Sequence, residues 1–258
     1  MDVSKPASMS IDEGVPRTTA DQRSPGSILR EPRIDGILQR SLARMFFRGG
    51  STAKKRSGRI VRRYLRSVGL KNVAQIPSYT SESELVALFQ VALECPPGSV
   101  GLEIGSHLGA SSCYLAAGLS KMGGHLYCVD TWHNETMPDG TRDTFSEFRK
   151  NTAGISTFIT AVRKRSEELV YGDIRGPVQL AFIDADHSYE AVSSDFQKMR
   201  DWLARDAVVA FHDAATWQGV SKFVGELVSS GEWRIAGNAE SLVWIRPTRW
   251  TPRPWLET

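Results

Sequence analysis

The 258 residues suffice for one large α/β domain with appendages, and no apolar run reaches the length of a membrane span. The net charge of +3 hides a split. Residues 36–81 hold eleven bases and no acid, whereas residues 82–258 hold 23 acids against 16 bases, and an acidic main domain argues against nucleic acid as substrate.

Residues 1–35, rich in Ser, Pro, Asp and Arg, are expected to be disordered. They lack the apolar stretch of a signal peptide, so the expected compartment is the cytoplasm. Residues 36–77 form a basic arm with two short amphipathic segments. One carries Leu38, Leu42, Met45 and Phe46, the other Ile60, Val61, Tyr64, Leu65 and Val68, and Gly49-Gly50-Ser51 separates them. The favoured reading is a linker whose apolar residues cap the main domain. The other is a surface for anionic lipid or an acidic partner. Cys95, Cys113 and Cys128, without C-x-x-C spacing, are read as buried free thiols rather than a zinc site or disulfide framework.

The main domain is expected over 78–246, with a tail of unreadable role at 247–258. Ser81-Glu-Ser-Glu84 resembles a helix capping box ahead of the stripe Leu85, Leu88, Phe89 and Leu93. A first strand from Val100 ends in Glu103, and a glycine turn leads into a helix from Ala110. A second strand is read over His125–Trp132, a helix near Thr144–Asn151, a third strand over Phe158–Val162 and a fourth over Val178–Ile183. A helix over Tyr189–Leu203, a fifth strand over Ala207–Phe211 and a helix over Val220–Val228 follow. Trp233–Ala236 and Ser241–Ile245 close the set. Strands alternating with helices require a parallel sheet, here a Rossmann-like seven-stranded one with helices on both faces, and the short final turn predicts an antiparallel last strand.

Glu103-x-Gly105-x-x-x-Gly109 at a strand end and helix start suits a nucleotide-like ligand, because glycines admit close approach and free N–H groups favour an anion. The middle glycine of a dinucleotide fingerprint is absent, with Ser106 and His107 following Gly105. Asp130 lies 27 residues after Glu103 at the second strand's end, where an acid can accept both ribose hydroxyls. The densest cluster is Phe182-Ile-Asp-Ala-Asp-His-Ser-Tyr-Glu190. Asp184 precedes His212 and Asp213 by 28 and 29 residues, and the two strand ends can be neighbours.

The glycine motif resembles the first motif of the class I S-adenosylmethionine (SAM)-dependent methyltransferases. That resemblance implies a SAM site made by Glu103, Gly105, Ser106, Gly109, Asp130, Thr131 and Trp132, with Trp132 lining the adenine, Ser166 at the adenine edge and Asp184 beside the donor. Over about residues 80–246 the chain is similar to the divalent-metal O-methyltransferases acting on sugar hydroxyls and to the cephalosporin-hydroxylase-like group. This implies a magnesium or manganese site at Asp184, His212 and Asp213, with Asp186 or His187 as catalytic base. The family's pair after the fifth strand is usually acid-acid or acid-amide, so His212 departs from it. It favours a transition metal over magnesium or makes His212 itself a base, with a hydrogen-bonded structural role the bland alternative. His107, His125 and His133 are read as turn or surface residues. The expected activity is O-methylation of a sugar or glycosylated small molecule, with oligomeric state open. The alternatives are an NAD-dependent oxidoreductase, disfavoured by the missing glycine, and a non-catalytic ligand-binding or scaffold domain anchored by the arm.

Overall fold

A computed structural model describes residues 51–135 and 140–248, with the side chains of 51–56 excepted. The expectations for residues 1–50 and for the tail beyond Thr248 therefore lie outside the described residues. Seven strands form one sheet: β1 (Val100–Ile104), β2 (His125–Asp130), β3 (Ile159–Arg163), β4 (Val178–Ile183), β5 (Leu203–Phe211), β6 (Trp233–Ala239) and β7 (Leu242–Pro247). Their order is β3-β2-β1-β4-β5-β7-β6. β3 through β5 are parallel, and β7 inserts antiparallel to both β5 and β6. The chain reverses direction across the sheet at β1 and β4, and in such sheets ligands gather beyond the carboxyl ends of the strands at that switch.

Alternation along the strands divides the core into two layers. Cys128, Phe182 and Ala210 face the side covered by α1 (Ser51–Ser67), α2 (Glu82–Leu93), α3 (Ala110–Ser120) and α4 (Phe145–Thr152). Ile104, Ile183 and Val209 face the side covered by α5 (Tyr189–Arg200) and α6 (Gln218–Ser229). The expected capping box forms: Ser81 Oγ accepts from Glu84 N–H, and Glu84 Oε2 accepts from Ser81 N–H at 2.9 Å. Every residue of α2 from Glu84 to Leu93 is buried, because the helix lies between α1, α3 and the sheet. A β-carbon on Gly118 would stand 2.6 Å from the Phe89 carbonyl, so α2 and α3 pack closely only because that position is glycine. The three cysteines are buried.

The division at residue 78 does not separate packing units. Val61, Tyr64 and Leu65 of α1, with Leu70 and Val73 after it, belong to the same buried cluster as α2 and α3. Arg62 also pairs with Glu82 at the start of α2. The apolar face of this part of the arm is spent on the domain, and none of the described helices is long and apolar enough to cross a membrane.

Candidate active site

The turn after β1 is built by its glycines. Gly105 has φ +88°, its N–H donates to the Val129 carbonyl at 2.9 Å, and a β-carbon there would run into the Asp184 carbonyl. Gly109 has φ +87° and caps α3, with Thr152 Cγ2 2.8 Å from where its β-carbon would lie. Both positions are left-handed, a conformation that costs any other residue steric strain. His107 sits between them in the turn, also at positive φ.

Two expected ligand contacts are turned inward instead. Glu103 is fully buried on the α3 side of the sheet, where Ser106 Oγ donates to its Oε2 at 2.8 Å and Ser112 Oγ donates to the same oxygen. Burial raises its pKa, against hydrogen bonds from the serine hydroxyls. Oε2 of Glu103 and the Ser106 hydroxyl are thus occupied with each other under the turn, while Oε1 is buried without an aligned hydrogen bond. These contacts support the glycine turn from below.

Asp130 stands at the rim. Its Oδ2 accepts from His107 N–H at 2.8 Å and its Oδ1 from Trp132 N–H at 2.6 Å, so it fastens β2 to the glycine turn. Each carboxylate oxygen retains accepting capacity for a ribose hydroxyl. Thr131, half-buried beside it, gives its carbonyl to Arg163 Nε at 3.1 Å. The expectation that Trp132 offers a face to adenine is corrected. Its side chain is 0% exposed, packed between Phe145 and Phe148, with Nε1 donating to the His107 carbonyl at 2.9 Å. A positive φ of 53° turns the indole into the core. Ser166 begins a short 3-10 turn after β3 and lies against Asp195 of α5. Burial pushes Asp195 up to about 6, with Glu167 and Asp186 adding to the rise and Ser166 opposing it. The loop His133–Arg142 is closed at its neck by Arg142 N–H donating to the His133 carbonyl at 3.0 Å. Residues 136–139 lie outside the described set.

Asp184, His187, His212 and Asp213 converge where β4 and β5 end. His212 Nδ1 stands 3.1 Å from Asp184 Oδ1 and 3.5 Å from Asp213 Oδ2. His187 Nε2 stands 3.5 Å from Asp184 Oδ1 and 3.4 Å from Asp213 Oδ2. It is buried without an aligned hydrogen bond to either. Asp213 holds φ +55°, strain of the kind that persists where surrounding contacts over-determine a functional geometry. Burial opposes charge on Asp184, yet the two imidazoles hold its pKa below the ordinary value. Burial also works against a charged His212, but Asp184 and Glu84 as hydrogen-bond partners and the charge of Asp213 carry it up to about 10.

The donor set suits a cation. Ligand atoms of Asp184, His187 and His212 lie within 4.8 Å of one another, and two imidazoles with a carboxylate match manganese or another transition ion better than magnesium. His187, expected as a base, thereby enters the candidate ligand group, and Asp213 stands beside it. Asp186, the other expected base, is exposed, and its Oδ1 accepts from Ser188 N–H at 2.7 Å. The Ser188 contacts and then the charge of His187 in the cluster hold its pKa below the ordinary value, and its own charge is felt by Asp195.

Two residues escaped the sequence reading. Glu84 of α2 places Oε2 3.3 Å from His212 Nε2, across 128 positions of sequence. Its only sequence signal was the capping box. Trp217, 53% exposed, stacks on His187 with ring centroids 5.3 Å apart and planes at 18°. An aromatic following the Phe-His-Asp strand end was the available hint.

Residues 102–214 match a family model described as a methyltransferase domain. Among solved structures, the chain is similar to the O-methyltransferase NovP, at 13% identity, covering 67% of this chain and 84% of NovP, with a TM-score of 0.53. It is similar to the methyltransferase PaMTH1 of Podospora anserina, solved with S-adenosylhomocysteine (SAH) bound, at 16% identity, covering 86% and 99% of the two chains, with a TM-score of 0.52. A Corynebacterium glutamicum protein matches at 18% identity over 76% of this chain and 92% of its own, with a TM-score of 0.52. At these identities the likeness is one of fold.

Proposed function

We propose that this chain, whose residues 102–214 match a methyltransferase-domain model and whose sheet has the order such domains share, is a class I SAM-dependent methyltransferase that methylates a hydroxyl of a sugar or glycosylated small molecule with the help of a divalent cation. The observation that carries this reading is the convergence of Asp184, His187, His212 and Asp213 directly against the Gly105 turn. NovP, named an O-methyltransferase, shares the fold. The exposed indole of Trp217 beside His187 offers an apolar face of the kind that stacks on sugar or aromatic rings.

Methyl transfer is an in-line displacement: the hydroxyl oxygen bonds to the methyl carbon as the carbon–sulfur bond breaks, and the hydroxyl proton must leave. Asp184, His187 and His212 would hold the cation, which lowers the pKa of a hydroxyl bound to it. The Asp213 carboxylate, beside both imidazoles, receives the proton. Gly105, Gly109 and the α3 N-terminus hold the amino-acid end of the donor, while Asp130 holds the ribose. The turn and the cluster share the Gly105–Asp184 contact, so donor and acceptor are positioned by one rigid junction.

The test is a comparison of turnover on glycosylated acceptors with SAM binding, before and after chelation. Turnover lost on chelation and restored by manganese, with SAM binding retained, is expected. Full turnover of rigorously metal-free enzyme overturns the cation. A second reading then takes its place, favoured by the carboxylates of Glu84, Asp184 and Asp213 standing 3.3, 3.1 and 3.5 Å from the ring nitrogens of buried His212: a buried imidazolium supplying the positive charge unaided.

A further inference from the structure

Glu84 is only 3% exposed, yet its carboxylate is surrounded by donors. Oε1 accepts from Ser241 N–H at 3.0 Å, Ser241 Oγ at 2.6 Å and Leu242 N–H at 3.1 Å. Oε2 accepts from Ser81 N–H at 2.9 Å. A carboxylate so satisfied is ionised and has no proton to give. Its 3.3 Å contact with His212 Nε2 therefore requires the proton to sit on that nitrogen. The other nitrogen, Nδ1, is the one that faces Asp184 and Asp213.

We propose that Glu84 is a positioning residue that keeps a proton on Nε2 of His212 and aims Nδ1 into the cluster, where a cation would take the place of the Nδ1 proton. The proposal rests on the cation reading above for the identity of what Nδ1 binds. The proton on Nε2 follows from the Glu84 contacts alone and does not need the cation. A carboxylate behind a ligating imidazole fixes its tautomer and ring plane and raises its basicity. Glu84 does so from a helix N-terminus while holding the turn between β6 and β7. One side chain thus couples α2, the closing hairpin and the end of β5.

The experiment uses the full chain with Glu84→Gln, Glu84→Asp and Ser241→Ala, the last weakening the Oε1 anchorage while leaving the His212 contact. Manganese affinity is read by electron paramagnetic resonance, SAM affinity by calorimetry, and the His212 ring protons by ¹⁵N-edited NMR. Glu84→Gln should bind manganese about 10–100-fold more weakly, with SAM affinity held. Glu84→Asp should fall between it and the parent, and Ser241→Ala should match the parent. The parent should show a slowly exchanging Nε2 proton on His212 that exchanges faster in Glu84→Gln. Equal manganese loss in Ser241→Ala, or no loss in Glu84→Gln, overturns the proposal. If the parent binds no manganese, the cation reading fails and the NMR signal alone decides: its presence and dependence on Glu84 sustain the pinned proton, and its absence removes it. Should Glu84→Gln fail to fold, Glu84→Asp decides by the same readouts.

Discussion

Gly105 and Asp184 touch so closely that no β-carbon fits between the glycine and the aspartate's carbonyl. The glycine turn and the Asp184–His187–His212 cluster are therefore one structural unit. Gly105→Ala must accommodate both this clash and a left-handed backbone, a conformation costing ~1–3 kcal/mol for a non-glycine residue. The expected outcome is a folded protein of lower stability that loses both SAM and manganese affinity. Calorimetric titration with each ligand checks it, and a variant losing only SAM would show that the two halves are not joined.

Asp130 binds two backbone N–H groups and retains acceptor capacity at the rim. Asp130→Ala is expected to weaken SAM binding by ~1.5–3 kcal/mol, the worth of hydrogen bonds to a charged group. Thermal melting run alongside separates this from loosening of the glycine turn. Unchanged affinity in a folded variant would take Asp130 out of the site.

Trp132 acts on stability. Trp132→Ala should cost ~3–5 kcal/mol, as removal of a large buried aromatic does. Trp132→Phe should leave SAM affinity near that of the parent, because the indole has no exposed face. A SAM defect in Trp132→Phe without loss of stability would restore the adenine contact.

The mostly parallel sheet with an antiparallel closing strand was legible because apolar strand runs alternate with helices until the last short turn, whereas the order of the strands was not. The site was legible at strand ends, since Asp184 and His212 follow Phe182 and Ala210 at the two-residue period of one sheet face. Glu84 was hidden because a capping residue looks complete in sequence, and its partner 128 positions away is fixed only by packing of α2 on the sheet. Trp132 misled for a related reason: its position after Asp130 is right for adenine, but a positive φ that no motif announces turns it inward. The arm's boundary at residue 78 was drawn from its run of bases, while Val61 and Leu65 are buried in the core, in keeping with the favoured reading that its apolar residues cap the main domain.

That packing predicts a different result for the arm than its charge suggests. Leu65→Ala should destabilise by ~2–5 kcal/mol, and a chain beginning at residue 78 should expose the α2 face and lose cooperative unfolding. Circular dichroism during denaturant titration measures both. Native stability in the shortened chain would show that α1 is dispensable to the fold.

Asp195 gives a pH signature apart from the Asp184–His187–His212 cluster. Its carboxyl, ordinarily at 3.8, is raised to about 6 in the folded protein, first by burial and then by Glu167 and Asp186, against the hydrogen bond to Ser166. The folded state thus holds a proton that the unfolded chain has already released across this window. Stability from this residue falls as pH rises from about 4 to about 6 and is lowest above it, a penalty of ~1–3 kcal/mol at neutral pH. Asp195→Asn removes the buried charge while keeping a partner for Ser166. It should be more stable than the parent at pH 7 by about that amount, and the gap should close by pH 4. Denaturant unfolding of both proteins at the two pH values isolates the effect, since the other carboxyls are shared. Equal stability at pH 7 would mean that Asp195 is solvated or paired in the folded protein, contrary to its placement under the turn at Ser166.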